Sequence, residues 1–396
     1  MRAFLRLAGT ALIAWTAHAL AQNGLELSSP SGFWKARFAP QIEGEVWHVD
    51  TPPPGLVGFD DDTYFQPRLV LKLDLMAGDA WFAHVETRWD RGFDAGARDD
   101  GDFRVDEALL RWRPLGDERL NVQAGKFATV FGNWVGRHDF FDNAFLDAPL
   151  PYNRIHGIND RKVPRFAAPV VNHRDEADAK AAWLPVIWGP SYGTGAAIFG
   201  EVGKFDYALE VKNAALASRP DAWNPWQEYL DHPTVTGRLG WRPSAMWALG
   251  VSASRGSYLL DEAQPALPRG AGREDSPETV LGVDARWAWR QFQLWGEVIG
   301  ARFETPYIGD LDVLSYYVEG RWKVNPSLWL GARWGQQFFS ELEGRSWDRE
   351  AWRAELALGV KVTPNILLKA QYSHTHETGG GVQGENAVGV GFAVRF

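Results

Sequence analysis

The C-terminal half of the chain alternates apolar and polar residues with a period of two, and this alternation restricts the fold more than any other feature. One face of the last such stretch carries Val388, Val390, Phe392, Val394 and Phe396. A strict period of two indicates a β-strand whose two faces meet different surroundings. The same alternation recurs at 283–289, 314–324 and 352–362, with charged residues on one face only. The sequence therefore predicts strands with one apolar and one polar face.

Sixteen segments with a strand pattern can be counted between residue 33 and the C-terminus. Short connections that contain glycine or proline alternate with longer polar ones, which predicts a succession of β-hairpins. The predicted short turns are centred on Gly78, Gly116, Gly203, Pro243, Pro326 and Pro364. The predicted strands are 33–47, 65–75, 80–89, 104–113, 118–127, 192–201, 204–213, 233–242, 246–257, 279–289, 292–303, 312–323, 327–338, 351–362, 366–375 and 386–396.

Two architectures can use alternating antiparallel strands. A soluble sandwich buries its apolar face against a second sheet, whereas a transmembrane barrel turns that face to lipid and carries aromatic girdles at both interfaces. The barrel is favoured by tryptophans near strand ends on the apolar face, namely Trp34, Trp81, Trp89, Trp112, Trp241, Trp287, Trp322 and Trp352. The many charges of the polar face could not be desolvated in a dry core. We therefore predict an all-β, closed antiparallel transmembrane barrel of about sixteen strands, with short periplasmic turns and long extracellular loops.

Residues 1–21 have the composition of a secretory signal peptide. Arg2 and Arg6 precede an apolar run that ends in small residues. We expect residues 1–21 to be cleaved and residues 22–396 to form a single exported barrel domain. Since no later window contains 18 consecutive apolar residues, any segment that spans a membrane would have to be a strand.

Composition and charge exclude several classes of function. The chain contains no cysteine, so it has no disulfide scaffold, thiolate metal site or cysteine nucleophile. Its formal net charge of −9 argues against a nucleic-acid partner, because phosphate binding requires a basic surface. The sequence also lacks a recognised catalytic motif and the ligand spacing of a known metal loop. We therefore expect a protein that is not an enzyme and that has no cofactor and no metal.

The signal peptide, the hairpin rhythm and the terminal Phe396 after alternating Val388, Val390, Phe392 and Val394 resemble Gram-negative outer-membrane proteins, whose last strand commonly ends in phenylalanine. The architecture is similar to that of sixteen-stranded porins, in which the loop after the fifth strand is long and folds into the lumen. The resemblance spans the whole mature chain and identifies no subfamily. It implies a location in the cell outer membrane, contact with outer-membrane lipid and, as in many porins, a homotrimer.

The longest stretch without a strand pattern, 128–191, follows the fifth predicted strand. Connections of this length are usually functional, and this one contains equal numbers of basic and acidic residues. If it folds inward, its charges oppose those of the wall and narrow the pore. Otherwise it is an extracellular cap, or a plug that stops conduction. The candidate constriction residues are Arg137, Asp139, Asp142, Arg154, Arg161 and Arg165.

The polar strand faces supply candidates for the lining of a lumen. They are Arg37, Lys72, Glu86, Arg88, Arg111, Arg238, Glu297 and Arg333. Because basic and acidic residues are interleaved, they predict a water-filled interior and leave anion or cation preference open. Aromatic residues between Phe127 and Phe166 could form a stacking track for sugar rings or could pack among themselves.

These features predict an outer-membrane porin or channel that allows passive diffusion of small polar solutes or ions. Selection would depend on pore radius and on the charges of the 128–191 stretch. Two alternatives stay open. One is a non-channel barrel that serves as a scaffold or as a conduit for a larger partner, such as a polysaccharide or a redox protein. The other is a secreted tryptophan-rich, carbohydrate-binding sandwich.

Overall fold

The computed structural model describes residues 24–50, 62–91, 101–175, 182–220, 230–378 and 384–396. The predicted signal peptide, 1–21, lies outside these residues. Strands dominate the described part, and its helices are short, with three to six residues each. None of these helices is long and apolar enough to cross a membrane.

Twenty-one strands form among the described residues. In chain order they are β1 Leu25–Ser28, β2 Trp34–Val49, β3 Thr63–Ala77, β4 Trp81–Asp90, β5 Asp102–Trp112, β6 Asn121–Phe127, β7 Ile155–Asn159, β8 Trp183–Pro185, β9 Gly193–Val202, β10 Phe205–Lys212, β11 Thr234–Ser244, β12 Trp247–Ser257, β13 Pro277–Trp289, β14 Phe292–Phe303, β15 Leu311–Asn325, β16 Leu328–Phe339, β17 Glu341–Leu342, β18 Arg345–Ser346, β19 Ala351–Thr363, β20 Ile366–Glu377 and β21 Glu385–Arg395. Strands β2–β6, β9–β16 and β19–β21 correspond one to one to the sixteen predicted strands. The largest difference is in β6, which begins at Asn121.

The sheet closes on itself. The sixteen strands pair antiparallel with their neighbours in the chain, and β2 pairs with β3 on one edge and with β21 on the other, where Gln41 lies opposite Arg395. β1 pairs with the start of β2 on the same edge as β21. Closure leaves no open sheet edge. The predicted sixteen-stranded antiparallel barrel is therefore confirmed, and the two-sheet sandwich is wrong.

Because consecutive strands are antiparallel neighbours, the connections emerge alternately at two ends of the barrel. Short turns, such as 203–204 and 326–327, lie at one end, here called the turn end. The longer connections lie at the other, the loop end. One predicted turn is wrong in detail: β11 continues through Pro243, because a register shift after Trp241 accommodates the proline as a bulge.

The outer surface of the barrel is apolar. Leu281, Val283 and Leu356 are each about 60% exposed, although they lie in the middle of regular strands. Aromatic side chains flank this surface at both ends: Trp81 stacks on Trp112 at the turn end, and Trp334 stacks on Trp352 nearer the loop end. Such belts suit the interfaces of a bilayer, where an amphipathic ring lies between hydrocarbon and water.

The interior is polar at the turn end and filled at the loop end. An apolar core lies inside the barrel, against inward-facing residues of β13–β15 such as Val280, Ile299 and Phe303. The rest of this core comes from residues 131–188 and from three other loop-end connections, which contain Leu216, Leu259 and Trp347. The longest connection of the chain therefore packs within the barrel, and it lies against the β13–β15 wall.

Candidate functional site

The connection between β6 and β9, residues 128–191, starts and ends at the same place. The Thr129 amide donates to the Pro190 carbonyl at 2.9 Å, just beyond the point where Phe127 and Gly193 pair across β6 and β9. Between these points the chain enters the barrel and contacts the inner faces of β3, β10, β12–β16, β19 and β20. We call residues 128–191 the inner segment.

After contacts of Thr129 and Val130 with Glu210 of β10, the inner segment binds the wall at Glu297 of β14. The Glu297 carboxylate accepts hydrogen bonds from the amides of Asn133 and Trp134, the latter at 2.9 Å, and from the Tyr152 hydroxyl at 2.5 Å. Gly132 permits this turn. Its φ is +69°, and a Cβ there would lie 2.7 Å from both a Glu297 oxygen and the Tyr152 hydroxyl. Position 132 therefore requires glycine, because its backbone is left-handed and because a side chain would not fit there.

We expect Gly132→Ala to lower the free energy of unfolding in urea by about 2–5 kcal/mol. A left-handed alanine costs about 1–2 kcal/mol, and disturbing the bonds of a buried carboxylate costs about 1–3 kcal/mol more. Gly116 provides a matched control, since its φ is +68° and the space around its Cβ position is open. Gly116→Ala should therefore show the backbone cost alone. If the two variants lose equal free energy of unfolding, the proposed packing of Gly132 against Glu297 and Tyr152 is wrong.

Beyond its contact with Glu297, the inner segment crosses the lumen, and an ion pair holds it at each wall. Arg137 binds Glu319 of β15 at 2.5 Å and stacks over the Trp295 ring. Across the lumen, Asp139 binds Lys72 of β3 at 2.5 Å. Burial by itself would raise the pKa of Asp139, but Lys72 holds it well below its usual range. The crossing is therefore fixed at both walls by fully charged groups.

After the crossing, the segment follows β19 and β20. Lys369 donates to the carbonyl oxygens of Asn143 and Phe145 at 2.7 and 3.1 Å. The Gln371 side-chain oxygen accepts from the Leu146 amide at 2.7 Å, and Arg353 binds Asp147 at 3.2 Å. Wall side chains thus satisfy the backbone of a stretch that has no regular structure of its own.

The return of the inner segment is held by a buried charge cluster near the loop end, which we call the Asp348 cluster. It comprises Arg154, His156, His173, Arg174, Asp348 and Glu377. Asp348, in the connection between β16 and β19, accepts from His156 Nδ1 at 2.7 Å and from Arg174 Nε at 2.7 Å. Arg154 is fully buried and donates to Glu377 at 2.8 Å.

Burial keeps both histidines of the Asp348 cluster neutral. Burial lowers the pKa of His156 to about 4 and that of His173 to about 4, although Asp348 opposes both shifts. Burial would raise the pKa of Asp348, but Arg174 and Arg154 hold it well below its ordinary value. The cluster therefore contains two carboxylates that balance Arg154 and Arg174, and it has no place for a further positive charge.

We expect the docked segment to loosen on acidification. A histidine whose pKa is lower when folded than its ordinary value of about 6.5 stabilises the fold fully above pH 6.5, and this contribution is lost as the pH falls towards 4. The loss is on the order of 3 kcal/mol for each histidine. Hydrogen exchange, corrected for intrinsic rates, should show reduced protection of the β7 and β8 amides at pH 4.5 relative to pH 7. Unchanged protection would contradict neutral histidines.

The predicted pore-lining residues all lie on the inner strand faces, but in different settings. Arg111 and Arg238 line a turn-end cavity, and Arg37 is exposed near the same end. Lys72, Glu86 and Arg88 form a chain of ion pairs along β3 and β4, with Asp139 and Asp106 at its ends. Glu297 and Arg333 are buried beneath the inner segment. Contact of any of them with a permeating solute stays a prediction.

The candidate constriction residues separate into three groups. Arg137 and Asp139 lie in the crossing, and Asp142 is exposed close to it. Arg154 is fully buried in the Asp348 cluster. Arg161 and Arg165 are exposed, and Arg165 lies over the Tyr307 ring in a loop-end connection. Arg154 is therefore a structural anchor, and Arg161 and Arg165 lie away from the crossing.

The aromatic residues of the inner segment are mostly core. Phe131, Phe145 and Tyr152 are at most 1% exposed, and Trp134 and Phe140 are also buried. Such rings stabilise the segment and cannot stack on a sugar in this arrangement. Of the two readings of these aromatic residues, the structure supports packing.

Cavities remain on both sides of the inner segment. At the turn end, a cavity of about 480 Å³ lies between residues 128–136 and the wall that includes Arg111, Gln123 and Arg238. Near the loop end, a smaller cavity of about 110 Å³ is lined by Arg68, Asp147 and Glu385, among others. Both linings combine charged and amide side chains with apolar ones, such as Trp47 in the smaller cavity and Phe131 in the larger. The charged and amide groups can bind water and small polar solutes.

Neither a family model nor a curated protein matches this sequence. Solved structures do match its fold. A loop L8 deletion mutant of OmpT, an outer membrane protein of Vibrio cholerae, has a TM-score of 0.59 at 11% identity, over 92% of this chain and 100% of that one. An anion-selective porin from Comamonas acidovorans has a TM-score of 0.58 at 12% identity, over 92% of this chain and 100% of that one.

A third similar structure is the outer membrane channel DcaP of Acinetobacter baumannii, with a TM-score of 0.57 at 12% identity, over 94% of this chain and 100% of that one. These identities are too low to transfer a solute or a binding residue, and they concern the fold. Each match extends over more than nine-tenths of both chains. This chain has the sixteen-stranded antiparallel barrel fold of the outer-membrane porins and channels.

Proposed function

We propose that this protein is an outer-membrane channel for the passive diffusion of small polar solutes or ions. The observation that carries the proposal is the contrast between the barrel's two surfaces. The outer face is apolar with aromatic belts, and the inner face is charged, with cavities on both sides of the inner segment whose linings include charged side chains. An outer face of this kind suits lipid, and an inner face of this kind suits water.

In this proposal the inner segment sets the size limit. It crosses the lumen from Glu319 to Lys72 and is fixed by ion pairs at both walls. Its apolar core closes the β13–β15 side near the loop end. Solutes would therefore pass beside the crossing, where Asp139, Asp142 and the wall charges act on them at short range.

Liposome swelling tests this proposal. Vesicles that contain the folded protein should swell in isotonic solutions of small sugars, and the rate should fall steeply as sugar size increases. Vesicles that contain heat-unfolded protein are the control. No swelling with a barrel that still shows heat-modifiable gel migration would reject passive diffusion of polar solutes.

One observation favours a second candidate, a barrel that does not conduct. The inner segment and three further loop-end connections bury a continuous apolar core inside the barrel, as a plug would. Such a protein would act as a scaffold or as a conduit that opens for a larger partner. The two candidates differ in the swelling assay, since a plugged barrel stays impermeable to every sugar tested.

We further propose a homotrimer embedded in outer-membrane lipid. One similar structure is described as the trimer form of OmpT from Vibrio cholerae, matched at 12% identity with a TM-score of 0.58. Cross-linking of the detergent-solubilised protein should give a ladder that ends at three subunits. A single band of one subunit would reject the trimer without affecting the channel proposal.

A further inference from the structure

Five basic side chains face the lumen on one side of the barrel, close to the turn end. They are Arg286 of β13, Arg321 and Lys323 of β15, Lys361 of β19 and Arg395 of β21, which we call the basic patch. All five lie within four residues of the turn-end limit of their strand. Arg286, Lys323 and Lys361 are exposed, and the other two are half-buried. The patch is therefore accessible to solutes in the turn-end half of the lumen.

The charges of the basic patch are not neutralised by ion pairs. Within the described ranges, none of its five residues forms an ion pair with a carboxylate. Arg321 donates to the Gln293 side chain at 2.6 and 2.9 Å and lies against the rings of Trp295 and Trp329. Arg395 donates to the Pro364 carbonyl at 3.2 Å and lies over the Phe141 ring. These neighbours orient the guanidinium groups and leave their charge intact.

The nearby acidic side chains do not reverse the positive charge of the basic patch. Glu319 is fully buried between Arg137 and Arg333, so its charge is already compensated. Asp142 of the inner segment is exposed and acts on Arg321 from a distance without an ion pair. Of these two acidic side chains, only that of Asp142 is left without an ion pair, and it faces five basic groups. The local balance is positive, in contrast to the net charge of −9 of the whole chain.

Most charged side chains on the rest of the turn-end wall form ion pairs, although Arg111 donates to the Gln123 side chain and not to a carboxylate. Arg238 binds Asp206 at 2.7 Å and Asp284 at 2.8 Å. Arg242 binds Glu201, and His84 binds Asp74 at 2.6 Å. Paired charges of opposite sign produce only weak fields at a distance, whereas unpaired charges of one sign add. The potential across the turn-end lumen is therefore positive towards β13–β21.

We propose that the basic patch makes this channel selective for small anions, both inorganic ions and carboxylates. Arginine and lysine supply the donors that carboxylates and phosphates require, and arginine can bind them with two parallel hydrogen bonds. Low-dielectric walls focus such a field into a cleft and raise the local concentration of counter-ions. This inference rests on the proposed channel function and names its solute class.

The reversal potential of the channel in a planar bilayer tests this inference. The measurement is made with different KCl concentrations on the two sides and is then repeated with potassium acetate. In both salts the sign of the reversal potential should show that the anion permeates faster than K⁺. Lys323→Gln/Lys361→Gln should lower the anion-to-cation permeability ratio by about threefold, since each removes one charge roughly a Debye length or less from the path. The single variant Arg286→Gln should act in the same direction.

Lys204→Gln is the matched control. Lys204 lies in the turn between β9 and β10, is exposed, and donates to the Pro243 carbonyl at 3.0 Å. Lys204→Gln removes one positive charge, as Arg286→Gln does, at the same end of the barrel but on the opposite wall, and it should leave the ratio unchanged. Conductance with a cation preference, or with a ratio that the double variant does not change, would overturn the inference alone. The absence of any conductance would overturn the channel itself and the inference with it.

Discussion

Replacing residues 131–188 with a glycine–serine linker of about four residues should leave a folded barrel whose single-channel conductance is severalfold higher. The hydrogen bond from Thr129 to Pro190 shows that the ends of the inner segment already lie together, so a short linker can rejoin β6 to β9 as a hairpin. Its removal exposes Glu297, Glu319 and Lys369 to a wide aqueous lumen. It also exposes the apolar wall of β13–β15, so heat stability should fall.

The matched control is a second shortening at the loop end. The same linker in place of residues 261–273, in the connection between β12 and β13, removes chain from the apolar core but leaves the inner segment on Glu297, Glu319 and Lys72. Its conductance should stay close to that of the full protein. If the first variant folds, as shown by heat-modifiable migration, and conducts no better than the control, the inner segment does not limit flow.

Asp348→Asn should undock the return of the inner segment. The substitution removes the carboxylate that binds Arg174 and His156 and leaves Arg154 and Arg174 buried beside Glu377 alone. Removing one partner of a buried ion pair costs about 3–5 kcal/mol, and here one buried positive charge is left without a compensating carboxylate. Trypsin should then cleave after Arg154, which is fully buried in the intact protein. Cleavage after the exposed Arg161 serves as an internal reference.

Asp312→Asn is the control for this experiment. Asp312 binds Arg302 at 2.7 Å at the start of β15, but both side chains are about half exposed. An exposed pair of this kind contributes about 0–1 kcal/mol, so cleavage after Arg154 should not increase. Equal resistance of Asp348→Asn and the control would mean that the Asp348 cluster does not hold the segment.

The barrel could be predicted from the sequence because each strand has its own local pattern. An outward residue such as Val390 meets lipid and an inward residue such as Gly391 meets the interior, so alternation alone gives the strand, its faces and its approximate bounds. The errors occur where the local signal is weak. Pro243 indicates a turn, yet β11 absorbs it as a bulge next to the true turn.

The contacts of the inner segment could not be predicted in this way. Arg154 and Glu377, or His156 and Asp348, lie about two hundred residues apart in the chain, and no local pattern links them. The sequence showed that 128–191 is charged and aromatic, but not which charges are anchors. Arg154 and Arg161 look alike in the sequence, and the fold buries one and exposes the other.

The basic patch shows a different limit of sequence reasoning. Strand alternation places Arg321, Lys323 and Lys361 on the polar face, but the acids that compensate charges elsewhere are brought in by neighbouring strands and by the inner segment. Pairing across strands decides whether a charge contributes to the lumen potential. The net charge of the chain gives no information on this point, because many of its acids lie outside the turn-end lumen.

The central claim is that a water-filled path crosses the barrel beside the inner segment. Single-channel recording of the purified, folded protein in a planar bilayer tests it most directly. We expect discrete conductance steps at neutral pH that increase with salt concentration. A protein that inserts and keeps the heat-modifiable migration of an intact barrel, but never produces a step, would contradict the claim.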